Sequence, residues 1–91
     1  IGGYIEINTG SATAFTVGGQ HKFIEFPSAS TNTGLILSSV LRGQEYKVRN
    51  GKATSITISP SYIDLSGVSQ STISANTAIT IVFDGTNYKQ F

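Results

Sequence analysis

The chain has no cysteine, no methionine and no tryptophan, and only two prolines among its 91 residues. Without cysteine there are no disulfide staples and no thiolate metal centre. A domain of this size buries only about 60% of the surface its unfolded chain exposes. Its order must therefore come from tight turns, a well-packed sheet or neighbouring chains. Charge is scarce as well, with six Lys and Arg against five Asp and Glu, net +1. So small a balance does not neutralise a run of phosphates, which argues against nucleic acid as a partner. No apolar run approaches the roughly 20 residues of a membrane-spanning helix, and no signal peptide is visible. The start at Ile1, with no Met anywhere, reads as a fragment, a processed product or a chain whose leader has been removed.

What is abundant is hydroxyl and β-branched character: 12 Ser and 11 Thr, interleaved with Ile and Val. Helical periodicity is nearly absent, and period-two alternation recurs instead. Strands are expected at Tyr4–Asn8, Ala14–Val17, Lys22–Phe26, Gln44–Asn50, Ala53–Ser59, Ser71–Ser74 and Ala78–Phe83, with a further short one at Tyr62–Leu65. The apolar spacing of Leu35–Leu41 fits a buried strand or one or two helical turns, and its β neighbours and two central serines favour strand or irregular chain. Within Gln44–Asn50, Tyr46 and Val48 face one way and Glu45, Lys47 and Arg49 the other. Pro27 and Pro60, lacking an N–H, are expected to end their strands. Asn50-Gly51 is the strongest tight-turn dipeptide and suggests a hairpin between its flanking strands. Asp84-Gly85 suggests a second reversal, with Tyr88 opening the return strand. The expected fold is all-β: one domain over 1–91, a small antiparallel sandwich or barrel of about eight to ten short strands.

Chemistry-bearing residues are few. His21, the only histidine, follows Gly18-Gly19-Gln20 and reads as a loop side chain. Asp84 is accounted for by its turn, and Asp64 could cap a local one. Nothing brings the two carboxylates together as a catalytic pair. There is no glycine-rich phosphate loop and no nucleophile elbow. No catalytic residue, metal ligand or cofactor is therefore assigned, and an enzyme is the least expected reading. Lys47 and Arg49 read as a mixed-charge sheet face, with a basic patch extended by Lys52 as the alternative. Tyr62, after Ser59-Pro60-Ser61, is the leading candidate for an exposed sugar-stacking ring. Asn32, near the tip of the polar Ser28–Gly34 loop, and His21 complete the candidate receptor contacts.

From Phe23 onward the order of motifs carries a likeness. Phe26-Pro27-Ser28-Ala29 is followed by Tyr46-Lys47-Val48-Arg49-Asn50-Gly51, then Thr57-Ile58-Ser59-Pro60, Ile63-Asp64 and the ending from Ile79 through Asp84-Gly85-Thr86-Asn87-Tyr88. This ordered set resembles a module at the ends of bacteriophage tail fibres, tail spikes and head fibres. It departs from that pattern in Leu65-Ser66-Gly67 after Ile63-Asp64, and in Tyr88 where the family often has Trp. The resemblance implies a homotrimer mounted on a fibre shaft at the virion surface. It also implies attachment to a host-surface polysaccharide or outer-membrane component. A capsid decoration or assembly role without a receptor, and a non-viral carbohydrate-binding module, are the alternatives.

Overall fold

Alternation places every second side chain of a strand on the same side, but it does not say which strand lies alongside. A computed structural model supplies the pairing for residues 3–38 and 41–91. Ser39 and Val40, part of the ambiguous apolar segment, lie outside the described residues. Nine strands and no helix occur among the described residues. They are β1 (Tyr4–Glu6), β2 (Ala14–Val17), β3 (Phe23–Phe26), β4 (Gly34–Leu37), β5 (Glu45–Asn50), β6 (Ile56–Ile63), β7 (Ser69–Ile73), β8 (Thr77–Phe83) and β9 (Tyr88–Gln90).

The expected antiparallel sandwich or barrel is not what forms. Strands β1, β3 and β5 stack in parallel as one ladder, and β2, β4 and β6 stack in parallel as the other. Consecutive strands thus alternate between two faces, and the chain winds as a β-solenoid. It returns to the first ladder after 19 residues, from Tyr4 to Phe23, and again after 24, from Phe23 to Lys47. A fourth coil runs backwards: β7 lies antiparallel to β6, and β8 antiparallel to β5. Strand β9 folds back from β8 and lies parallel to the end of β6, joining the two faces into one continuous sheet. The molecule is accordingly flat, 33 × 31 × 18 Å.

Two local expectations fall with the sandwich. The strands flanking Asn50-Gly51 do not form a hairpin, because β5 pairs β3 and β8 while β6 pairs β4, β7 and β9. Neither Asn50 nor Gly51 has a positive φ, the conformation that a type I′ hairpin turn requires. The pair instead makes a corner between the two faces. Nor does Pro60 end its strand. Strand β6 runs through a cis Ser59–Pro60 bond to Ile63, and its register against β7 shifts between Thr57 and Tyr62. Pro60 sits in that irregular stretch, where a missing N–H interrupts no ladder bond. The Asp84-Gly85 reversal does form, joining β8 to β9, with Gly85 at φ 104°.

Inward side chains of successive coils meet in register. Ile5, Ile24, Val48 and Ile79 make one row across four strands, while Phe15, Leu35 and Ile58 make its counterpart on the other ladder. Ile24, Leu35 and Val48 are each 1% exposed. Tyr46, in phase with Val48 as expected, is fully buried and lies 6.1 Å from Tyr88 between ring centroids.

The corners between the faces are held by buried polar side chains. Asn32 accepts the Thr9 backbone N–H at 3.0 Å and donates to the Thr13 carbonyl at 2.9 Å, tying the second coil to the first. The Lys52 ammonium donates to the Asn32 carbonyl, tying the third to the second. Asn50 directs its amide NH₂ at the carbonyls of Thr54, Ile73 and Ser74, at 3.0, 3.2 and 3.0 Å, reaching the fourth. Lys52 therefore does not extend a surface basic patch. It is 9% exposed and committed to the corner.

Removing the Asn50 amide takes away the donor shared by those carbonyls, of which the Ile73 carbonyl is buried, at a cost of about 1–3 kcal/mol for a group left without a partner. We expect Asn50→Ala to destabilise the fold by about 3 kcal/mol, read as a lower urea midpoint with unchanged slope. Asn87→Ala at an exposed loop should move stability by less than about 0.5 kcal/mol. Equal midpoints for the two variants would show that the amide does not hold the corner.

Candidate functional site

The outer surface of the β1–β3–β5–β8 sheet is built by the same register that builds the core. Residues out of phase with the core row form two outward rows: Tyr4, Phe23, Lys47 and Thr80, and beside it Glu6, Glu25, Arg49 and Ala78. Parallel in-register stacking sets the two aromatic rings on neighbouring strands, about 4.8 Å apart in backbone spacing. Both are open to solvent, Tyr4 at 57% and Phe23 at 40%. The small residues Ala78 and Thr80 on β8 leave the floor low. The result is a shallow, largely apolar trough of about 510 Å³.

Charged groups frame the trough and are partly locked. The Tyr4 hydroxyl donates to Glu25 Oε1 at 2.7 Å, and Arg49 Nε lies 3.5 Å from Glu25 Oε2. The carboxylate acceptor favours the protonated phenol, so the Tyr4 hydroxyl is raised above its ordinary value chiefly by that hydrogen bond. Glu45 takes Lys22 at 3.1 Å and Lys47 at 3.8 Å, so Lys47 shares a pair with Glu45 as the mixed-charge reading expects. The Lys22 ammonium also stands 5.7 Å from the Phe23 ring centroid, within cation–π range.

The residues proposed from sequence as receptor contacts are not gathered here. Tyr62 is 6% exposed, and its hydroxyl donates to the Thr72 carbonyl at 3.3 Å. Burial, with a smaller contribution from Asp64, raises that hydroxyl above its ordinary value. Asn32 is 1% exposed and spent on the corner described above. Both side chains are therefore structural in this fold. His21 does lie on a loop, where its Nδ1 accepts the Gly18 N–H at 3.4 Å. It stands two residues before Phe23, in the loop that enters β3, but is not among the residues that line the trough. No group of three His, Asp or Glu able to hold a metal ion stands together among the described residues.

The trough itself had a signal in the sequence. In Tyr4-Ile5-Glu6 and in Phe23-Ile24-Glu25 an aromatic residue shares the phase of a carboxylate two positions on. A strand that buries Ile and exposes Glu must expose that ring as well.

The two aspartates act as local clamps. Asp64 Oδ1 accepts the backbone N–H groups of Ser66 and Val68 at 2.9 and 3.0 Å and the Ser66 hydroxyl at 2.7 Å, while Oδ2 accepts Gln70. These bonds, led by the Ser66 hydroxyl, lower its carboxyl to about 2. Asp84 accepts the N–H groups of Asn87 and Thr86 at 2.7 and 2.8 Å and pairs with Lys89 at 2.9 Å. Its carboxyl is held well below the usual carboxylate range, chiefly by the Asn87 N–H. No family model, no curated protein and no solved structure matches this chain.

Both carboxylates have folded-state pKa values below their unfolded ones, so their contribution is complete above the unfolded value and is lost as pH falls through the folded one. Stability should therefore decline as pH drops from about 4 towards 2, where Asp64 titrates. The Asp64→Asn and Asp84→Asn double variant should show a flatter acid limb, followed by thermal melts across pH 2–6. Parallel acid limbs in the two proteins would remove the clamps as the cause.

Proposed function

We propose that this chain is a recognition module that binds a surface glycan through the trough on its β1–β3–β5–β8 face, carried at the tip of a viral appendage. The observation that carries the reading is the pair of solvent-open rings, Tyr4 and Phe23, side by side over a low floor and next to fixed polar groups. Apolar faces of pyranose rings pack on aromatic side chains, and sugar hydroxyls donate to carboxylates and accept from guanidinium and ammonium groups at the rim. Glu25 and Lys47 are placed for the second task, with Thr80 at the floor. The mechanism is binding alone, with no chemical step.

Rigidity supports the same reading. Each trough residue sits on a strand paired on at least one side, and Glu25 is held from both sides by Tyr4 and Arg49. Little ordering entropy remains to be lost on binding. The likeness of the segments from Phe26 to Tyr88 to phage fibre tips supports placement at the virion surface, on a shaft and in three copies. Three weak sites on one shaft bind a repetitive polysaccharide by effective concentration rather than by single-site affinity. A capsid-decoration role would use the same fold without the trough.

On a glycan array, the chain should bind saccharides, and Tyr4→Ala and Phe23→Ala should each weaken binding about tenfold, near 1.4 kcal/mol. Their far-UV spectra should match the parent. Tyr62→Phe, which removes only a buried hydroxyl, should bind as the parent does. Array binding that survives both ring deletions would move the site off this face. Absence of any glycan binding would leave decoration or assembly as the role.

A further inference from the structure

A second depression of about 330 Å³ adjoins the trough, and the two share Arg49 and Ala78. Together they flank β5 from Lys47 to Gly51, about 13 Å at the rise of a strand. That is longer than one sugar ring. The character changes along it. The first part holds the aromatic rings, whereas the second is polar, with Arg49 as its only charged lining side chain, beside Asn76 and Thr77.

The charges of this face are mixed, with Glu45 beside Lys47 at 3.8 Å and Glu6 in the same outward row as Glu25 and Arg49, and the lining of the two depressions is the more cationic part. That lining carries two cations, Lys47 and Arg49, against one carboxylate, Glu25. That carboxylate is already engaged on both oxygens, by the Tyr4 hydroxyl and by Arg49 Nε. Arg49 meets Glu25 through Nε, its side chain is 73% exposed, and it lines both depressions. The planar fork of a guanidinium matches a carboxylate in a way that an ammonium does not. Asn76, exposed in this same depression, holds a left-handed backbone conformation at φ 52°. It is the one such non-glycine residue among those described, in the turn between β7 and β8, where asparagine adopts that region readily.

We propose that the ligand of these depressions is an acidic oligosaccharide, a carboxylate-bearing sugar chain with one ring over Tyr4 and Phe23 and the carboxylate of a neighbouring unit held by Arg49. This rests on the glycan-binding reading above and specifies its ligand class.

The test uses the full 91-residue chain and matched probes: oligogalacturonate and oligoglucuronate of three to five units, and the methyl esters of each. The esters keep the sugar geometry and remove the charge. Titrations followed by NMR shifts should show the acids bound at least tenfold more tightly than their esters, with the difference shrinking from 50 to 500 mM salt. Arg49→Gln should abolish the preference, and Arg49→Lys should restore only part of it, while Tyr4→Ala should weaken acids and esters alike. Acids and esters binding equally, or a preference that Arg49→Gln leaves intact, would overturn the proposal while leaving glycan recognition standing. A chain that binds none of these and no saccharide on a wider array would take both readings down together.

Discussion

Everything in this fold depends on a solved problem at the corners. A solenoid coil must carry its backbone from one face to the other, where the ladder bonds stop and peptide groups need other partners. Asn32, Lys52 and Asn50 supply them. Each reaches from its own coil to a neighbouring one, so the same bonds that satisfy the corner also set the spacing of the stack. Once the corners are held in line, the inward rows of Ile and Val meet without adjustment. The outward rows of Tyr, Phe, Glu and Arg line up for the same reason. Core and candidate site are two sides of one register.

That economy explains which parts were legible in the sequence. In-and-out alternation is a property of a few consecutive residues, so the burial of Tyr46, Val48, Ile56 and Ile58 and the exposure of Lys47 and Arg49 could be read directly. The Asp84-Gly85 turn could be read because its bonds lie within the turn itself. Strand pairing is different in kind. Tyr4 lies beside Phe23, and Gly34 beside Thr57, and nothing within either segment names its neighbour. Asn50-Gly51 misled for a physical reason: the amide that favours a hairpin turn in a short loop can equally well cap carbonyls across a corner. With unequal coils of 19 and 24 residues, no repeat was visible to suggest winding.

The candidate site was half legible. Tyr62 drew notice because it follows a proline and a run of serines, yet β6 continues through Pro60 and carries Tyr62 inward. The neighbouring polarity marked the strand's outer face, not the ring. Tyr4 and Phe23 were visible as strand residues, and their phase with Glu6 and Glu25 marked them as outward. Their significance comes from adjacency, which only the parallel pairing of β1 with β3 creates.

The two unpaired edges β1 and β2 belong to the same coil, whereas the opposite end is occupied by strands running in reverse. The stack therefore has a polarity. A further parallel coil can join along β1 and β2, whose edges carry no proline and no bulge. At the other end β8 is flanked by β9, and β7, which runs opposite to β6, shows Ser, Gln and Thr. The two ends of the stack therefore offer a neighbour different strand directions and different side chains.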